Sequence, residues 1–133
     1  MPTIGCLPTL HLLLDTHIIV WSVTSDERLS RSARDALLSP DARLLVSAVT
    51  AWEYADLHQR RRLPMAADFN TVATMLALET VDLPAEIWRL AVTLPDLHRD
   101  PVDRILIAHA LRLDATLVTA DTTMRRYPVR CLW

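Results

Sequence analysis

Four acidic residues fall where apolar runs meet neighbouring helical patterns, and acids placed in this way could hold a metal ion. Asp15 ends "HLLLD", Glu53 lies in "AVTAWE", Asp103 in "DPVDR" and Asp121 in "LVTAD". Converging carboxylates repel, by up to about 4 kcal/mol for a close pair at intermediate dielectric. Either their pKa values rise or a cation neutralises them. An all-oxygen site suits Mg²⁺ or Mn²⁺, and such an ion activates water and stabilises charge on a phosphate.

Each of these acids also has a structural interpretation. Asp15 and Asp121 could cap the helices or turns that follow them, and Glu53 could be an exposed helix residue. In "HRDPVDRILIAHA", Asp100 fits a helix N-cap, because a proline follows it directly and Asp103 stands three residues on, as in a capping box. The local sequence leaves open whether Asp103 completes this cap or belongs to a metal site.

The elements that must position the acids alternate between short apolar runs and helical patterns. The runs predict strands at residues 11–15, 43–47, 79–83, 115–120 and 129–133, and helices at 16–23, 30–39, 48–63, 65–78, 84–94 and 100–113. Strands that are apolar throughout and alternate with helices predict an α/β fold with a parallel sheet covered on both faces. We find no repeat or linker, so we predict an irregular lead-in at 1–10 and one domain at 11–133.

The predicted sheet brings most of the acids to one edge. Ligands of open parallel sheets sit outside the carboxyl ends of the strands. Asp15, Glu53 and Asp121 would lie there, and Asp103 would join them if the start of its helix faces the same crevice. The chain has one glycine, Gly5, so we expect a non-glycine residue, Asp114, in the left-handed conformation that ends the last long helix.

Composition excludes several classes of function. All 14 basic residues are arginine, which removes lysine-dependent chemistry such as Schiff bases and P-loops and argues against a receiver domain. A net charge of −2 does not indicate a nucleic-acid binder, although local patches matter more than the sum. Cys6 and Cys131 lack metal-ligand spacing and fit free thiols in a reducing cytosol. We see no membrane-spanning run or signal peptide.

Four segments carry a family resemblance that covers nearly the whole chain. In order and spacing, "LLLDTH", "VSAVTAWE", "LHRDPVDRILIAHAL" and "LVTADTTMRRYPVRCLW" resemble PIN-domain ribonucleases, and in particular the VapC toxins of bacterial toxin–antitoxin pairs. The resemblance implies a three-layer α/β/α fold and a cytoplasmic, Mg²⁺- or Mn²⁺-dependent endoribonuclease. His109 stands where this family commonly has glutamine.

The resemblance also implies roles for individual residues. Asp15, Glu53, Asp103 and Asp121 would be catalytic. Asp15, Asp103 and Asp121 would bind metal, with Glu53 as a further ligand or as the residue that orients the water. Asp100 would cap its helix and Thr16 would support the site, each in a supporting role. The expected products are a 5′-phosphate and a 3′-hydroxyl.

The implied partners are an RNA substrate and a VapB-like antitoxin, and the implied assemblies are a homodimer and a larger toxin–antitoxin complex. Two other functions stay open at this point. One is a PIN-like binding module that no longer cuts RNA and acts through a protein partner. The other is a phosphohydrolase for small substrates, which the absence of a second aspartate in "LLLDTH" disfavours. Besides the acids, His17 and His98 flank the site in sequence, and Arg125 and Arg126 could contact phosphate.

Overall fold

The computed structural model describes residues 9–133, which form five strands and six α-helices. Two helices follow each of the first three strands, and a 3₁₀ turn lies between the last two strands. The strands are β1 (Leu10–Leu14), β2 (Ala42–Ser47), β3 (Glu79–Val81), β4 (Thr116–Val118) and β5 (Cys131–Leu132). The helices are α1 (Thr16–Thr24), α2 (Arg31–Leu37), α3 (Ala48–Gln59), α4 (Phe69–Met75), α5 (Ile87–Thr93) and α6 (Pro101–Leu113), and a 3₁₀ turn spans Met124–Arg126.

All strand pairs in the sheet are parallel, and their order is β3-β2-β1-β4-β5. From β1 the chain builds outward through β2 to β3, then returns to the other side of β1 to form β4 and β5. The direction of winding therefore reverses between β1 and β4. At such a reversal the loops leave the carboxyl ends of two adjacent strands in opposite directions and open a crevice between them.

Helices cover both faces of the sheet, as the apolar strands predicted. Successive strand residues point to opposite faces, so Leu13 and Leu117 pack under α5 and α6, while Leu12, Leu14 and Val118 pack under α1, α2 and α4. Helix α3 packs its Ala51 and Tyr54 into this second layer of side chains. The α/β prediction, with a three-layer arrangement, is confirmed.

Helix ends follow the local sequence closely. Five helices begin at a residue whose side chain accepts a backbone N–H of the first turn, and these are Asp15, Ser30, Ser47, Asp68 and Asp100. Helix α6 ends at Asp114 with φ 54°, the left-handed conformation predicted for this aspartate. Because both ends of α6 are determined locally, the position of its first turn over the crevice is well defined.

Several boundaries differ from those predicted. Helix α3 ends at Gln59 rather than at residue 63, because Arg61 turns the chain with φ 56°. Helix α5 begins at Ile87 rather than at residue 84, since residues 84–87 first form a turn. Strand β1 starts at Leu10, one residue early, and residues 1–8 of the predicted lead-in lie outside the described residues. None of the described helices is long and apolar enough to cross a membrane.

Candidate active site

A cleft of about 390 Å³ lies at the carboxyl ends of β1 and β4, where the sheet reverses its winding. Five carboxylates line it: Asp15, Glu53, Asp100, Asp103 and Asp121. They come from the end of β1, from α3, from the start of α6 and from the loop after β4. The first turn of α6 faces this crevice, so Asp103 joins the acids that follow the strands.

Asp15 is the most buried of these acids, and its carboxylate is held from two sides. One oxygen accepts the backbone N–H of Ile18 at 3.1 Å, which caps α1. The other accepts the hydroxyl of Thr119, which follows β4. Burial raises the pKa of Asp15, and these two hydrogen bonds offset part of the rise. Asp15 thus ties the ends of β1 and β4 together at the floor of the cleft.

Thr16, which follows Asp15 at the start of α1, links this helix to α3 by a side-chain hydrogen bond. Its side chain is buried and its hydroxyl donates a hydrogen bond to the Glu53 carboxylate, 37 residues away in sequence. A short β-branched side chain has few rotamers, so it fixes the Glu53 carboxylate more firmly than a longer donor would. The remaining acceptor positions of Glu53 stay available to the cleft.

Asp121 sits in a tight turn directly after β4. One carboxylate oxygen accepts the backbone N–H groups of Thr123 at 2.8 Å and Met124 at 3.0 Å. The other faces the ring of His98 at 3.1 Å. Burial pushes the pKa of Asp121 upward, but the amides and the His98 ring together hold it below its ordinary value. This acid therefore stays ionised at neutral pH.

Asp103 behaves in the opposite way. Burial, the nearby carboxylate of Asp100 and the more distant Glu53 and Asp121 together raise its pKa to about 7, although His98 counteracts part of the rise. Without a cation, about half of the Asp103 carboxyls would therefore be protonated near neutral pH. Burial is the largest cause of this rise and the surrounding carboxylates add to it, so a cation among them would favour the ionised form of Asp103.

His98 is the residue that sequence reasoning undervalued. The backbone N–H of Asp100 donates to its Nδ1 at 3.1 Å, so in the neutral ring the proton is assigned to Nε2. Nε2 then points between Asp103 and Asp121, at 3.0 Å and 3.1 Å from their carboxylate oxygens. The sequence offered one signal for this role. His98 stands two residues before Asp100, the N-cap of α6, so its loop can fold back over the first turn of that helix.

His98, Asp103 and Asp121 form the closest cluster of possible metal ligands among residues 9–133, with ligand atoms within 4.8 Å of one another. Asp15 lines the same cleft but is not a member of this cluster. Each of its oxygens accepts one hydrogen bond, from Ile18 or from Thr119, and keeps a further lone pair. The donor set as a whole is dominated by carboxylate oxygens, as expected for Mg²⁺ or Mn²⁺.

The other residues considered from the sequence lie around this centre. Asp100 caps α6 through the backbone N–H of Val102 at 2.9 Å, as predicted. His17 lines the rim of the cleft. Arg125 and Arg126 are exposed on the 3₁₀ turn that follows Asp121. His109 is buried, with Nδ1 at 2.8 Å from the Ser47 hydroxyl, and takes no part in the cleft.

Comparison with known proteins agrees with this geometry. The PIN domain model matches residues 12–129. The chain belongs to the PIN-domain family. A curated PIN-type relative is Ribonuclease VapC22 of Mycobacterium tuberculosis, which is 32% identical over 119 residues, covering 87% of this chain and 91% of that protein.

Solved structures place the fold of this PIN domain among toxin–antitoxin proteins. VapBC2 from Rickettsia felis, crystallised with a DNA fragment from its promoter, matches with a TM-score of 0.71 and 19% identity, covering 92% of this chain and 97% of that chain. VapC20 from Mycobacterium tuberculosis, described as a toxin that cleaves the sarcin–ricin loop, matches with a TM-score of 0.62 and 18% identity, covering 86% and 93%. At these identities the likeness concerns the fold.

Proposed function

We propose that this chain is the ribonuclease toxin of a toxin–antitoxin pair, a metal-dependent endonuclease that hydrolyses RNA phosphodiester bonds and is neutralised by a VapB-like antitoxin. The observation that carries the proposal is the set of five carboxylates in one cleft at the reversal of the sheet. Membership of the PIN-domain family and the similarity to Ribonuclease VapC22 support the same activity. An RNA substrate would place the reaction in the bacterial cytoplasm.

The residues present fit a divalent cation. Burial and the surrounding acids raise the pKa of Asp103 to about 7, and a cation among these oxygens would remove that repulsion. We assign Asp103 and Asp121 to the cation directly, with Asp15 as the buried third ligand. A bound Mg²⁺ or Mn²⁺ would lower the pKa of a water molecule and neutralise charge on the phosphate.

The chain's own side chains supply orientation and charge. Glu53, held by the Thr16 hydroxyl, can accept a hydrogen bond from the attacking water and fix its direction. Asp15 keeps the ends of β1 and β4 in register beneath the phosphate. Attack in line on phosphorus breaks the bond to the 3′ oxygen, which takes up a proton, and leaves a 3′-hydroxyl and a 5′-phosphate.

Cleavage of total bacterial RNA by the purified, antitoxin-free chain tests this function. The reactions contain Mg²⁺, Mn²⁺ or EDTA, and each is repeated with Asp103→Asn and with Asp35→Asn, which alters an exposed acid on α2. We expect discrete fragments that need metal, disappear with Asp103→Asn and persist with Asp35→Asn. Absence of cleavage by folded, partner-free protein would favour a non-catalytic binding module instead.

A protein partner is the second part of the proposal. An apolar groove of about 360 Å³ runs between α1, α2 and α4 and includes the exposed Leu38 and Met75. Exposed apolar surface of this kind is typical of interaction sites. We assign it to the antitoxin, in keeping with the VapBC complexes whose fold this chain shares. Co-expression with a VapB-like antitoxin, to be sought in a neighbouring gene, should yield a complex that no longer cleaves RNA.

A homodimer is the third part, and α5 supports it. Trp88 and Val92 stand four residues apart on this helix, with 57% and 69% of their surfaces exposed. They lie on one face of the helix, since residues four apart are neighbours on an α-helix. We assign this face to contact between two copies of the chain, from which larger toxin–antitoxin assemblies would be built.

A further inference from the structure

The cleft contains an excess of acids but must admit a polyanion. Five carboxylates line it, and Arg28 is the only arginine among the lining residues in the described part of the chain. The chain has no lysine at all. A divalent cation would neutralise the charge of the phosphate that is cut. The neighbouring phosphates of the same strand would still meet negative charge, unless Arg28 receives one of them.

Arg28 is held in one position although its side chain is 69% exposed. Its guanidinium carbon stands 5.0 Å from the centre of the Trp21 ring, which is itself buried. Its Nε and Nη2 atoms donate to the two oxygens of Asp26, at 3.0 Å and 2.7 Å. A flat cation fixed by an aromatic ring and a bidentate acid loses little further freedom when it binds a ligand.

The Asp26 carboxylate is fixed in turn. Its Oδ1 also accepts the backbone N–H of Arg28 at 2.8 Å. Hydrogen bonds from the Arg28 side chain and then its backbone lower the pKa of Asp26 to about 2. Asp26 engages two of the five guanidinium N–H groups, so three donors remain for a ligand. An exposed ion pair contributes little to folding stability, so stability alone is a weak reason for this arrangement.

We propose that Arg28 binds a backbone phosphate of single-stranded RNA, next to the phosphate that is cut. The proposal rests on the ribonuclease function proposed above and adds a substrate contact to the same cleft. Arg28 takes no part in the chemical step. It should therefore act on RNA affinity and on KM, while leaving kcat nearly unchanged.

RNA binding and RNA cleavage together test this assignment. A fluorescein-labelled single-stranded RNA of mixed sequence, chosen independently of any cleavage product, is titrated in Mg²⁺ with the Asp103→Asn protein, which should bind but not cut. The titration is repeated with Asp103→Asn proteins that also carry Arg28→Gln, Arg28→Lys or Arg31→Gln, each at several salt concentrations. Arg31 is exposed at the start of α2 and does not line the cleft, so it is the matched control.

We expect Arg28→Gln to raise the Kd about tenfold and to reduce the slope of log Kd against log salt by about 0.7, the value for one phosphate contact on a single strand. The Kd of the Arg28→Lys variant should lie between those of the proteins with Arg28 and with Arg28→Gln, because lysine keeps the charge without the bidentate geometry. In the otherwise unmodified protein, Arg28→Gln should raise KM and keep kcat within about twofold.

The two proposals can fail separately. If Arg28→Gln matches Arg31→Gln in Kd, salt slope and KM while the protein cleaves RNA, the Arg28 assignment is wrong and the ribonuclease function stands. If RNA binds through Arg28 but no variant cleaves it, the Arg28 contact stands and the catalytic proposal is wrong. If RNA is neither bound nor cleaved, both are overturned. Thermal unfolding of Arg28→Lys and Arg28→Gln confirms that each variant is folded.

Discussion

At the scale of single residues, the ionised Asp103 carboxylate opposes folding when no cation is present. The folded-state pKa of Asp103 is raised to about 7, above its ordinary value, so the protein loses stability as pH rises from about 4 to about 7 and Asp103 ionises. We expect Asp103→Asn to abolish cleavage and to be more stable than the unmodified protein at pH 8 in EDTA, by about 2 kcal/mol after allowance for solvent screening.

Urea unfolding at pH 5 and pH 8 measures this difference. The stabilisation by Asp103→Asn should be small at pH 5, where the carboxyl is largely protonated, and larger at pH 8. Saturating Mg²⁺ should stabilise the unmodified protein more than the variant, because ligand binding favours the folded state. An unchanged pH dependence in the variant would contradict the raised pKa.

Asp15 responds differently, because it is a structural cap as well as a proposed ligand. Substitution of Asp103 should remove activity and leave the fold intact, whereas substitution of Asp15 should also destabilise the fold. Asp15→Ala would leave the Thr119 hydroxyl and the Ile18 N–H without their partner, which costs about 1–3 kcal/mol. Asp15→Asn retains one acceptor and should destabilise less. Equal unfolding midpoints for the two variants would refute the capping role.

The sequence predicted the acids of the cleft better than their partners. Asp15, Asp103 and Asp121 could be placed because each follows a strand or opens a helix, which are local features. Glu53 could be placed because it lies in the first turns of the helix that follows β2. The contacts of His98 and Thr119 could not be placed, because they join residues 23 and 104 positions apart and depend on how loops meet. The difference in pKa between Asp103 and Asp121 comes from the burial of Asp103 and from the hydrogen bonds that two backbone amides and His98 make to Asp121, so it too required the three-dimensional structure.

At the scale of elements, the loop that carries His98 is attached to the rest of the fold by one tyrosine and one arginine. The Tyr127 hydroxyl accepts the backbone N–H groups of Leu97 at 3.1 Å and His98 at 2.8 Å. Arg104 of α6 donates to the carbonyls of Pro95 and Ala91, each at 2.9 Å, and so closes the end of α5. The position of His98 therefore depends on the packing of α5 against α6.

Removal of the Tyr127 hydroxyl tests this dependence. Tyr127→Phe leaves two amides without an acceptor, so we expect a loss of about 2 kcal/mol in unfolding free energy and a fall in kcat of at least about threefold. Tyr54→Phe is the control, because the Tyr54 hydroxyl donates to Ala67 at 2.8 Å in the loop between α3 and α4, outside the cleft. Equal kcat values for the two variants would show that the loop does not need this attachment.

The end of α4 contains a residue that glycine should improve. Ala77 has φ 53°, and the N–H of Leu78 reaches back to the carbonyl of Ala73 at 2.8 Å, the arrangement that usually places glycine at this position. We expect Ala77→Gly to stabilise the protein by about 0.5–1 kcal/mol, by relieving the left-handed backbone. Ala73→Gly, inside the same helix, should destabilise it by about 1 kcal/mol. Urea unfolding of both variants checks the signs.

Element types were predictable from the sequence, whereas their ends and neighbours were less so. Apolar runs and capping residues identify strands and helices. No local signal marks the positive φ of Arg61 that ends α3 early. The strand order also lies beyond local signals, because the β1–β4 pairing joins segments about a hundred residues apart.

At the scale of the whole molecule, the exposed face of α5 predicts self-association. We expect the purified chain to behave as a dimer at micromolar concentration in light scattering. Val92→Glu should shift it toward the monomer, because a charge on this face would lose its hydration in the contact. Leu38→Glu, in the groove assigned to the antitoxin, should leave the mass unchanged and weaken antitoxin binding. Dimers that persist in Val92→Glu would place the contact elsewhere.

The central claim is that the cleft acids hold a cation on which RNA cleavage depends. The most direct test measures Mn²⁺ binding by electron paramagnetic resonance and RNA cleavage in the same titration. We predict that binding and cleavage rise together, that Asp103→Asn loses both, and that Asp35→Asn retains both. Cleavage that persists in EDTA, or Mn²⁺ binding unaffected by Asp103→Asn, would contradict the claim.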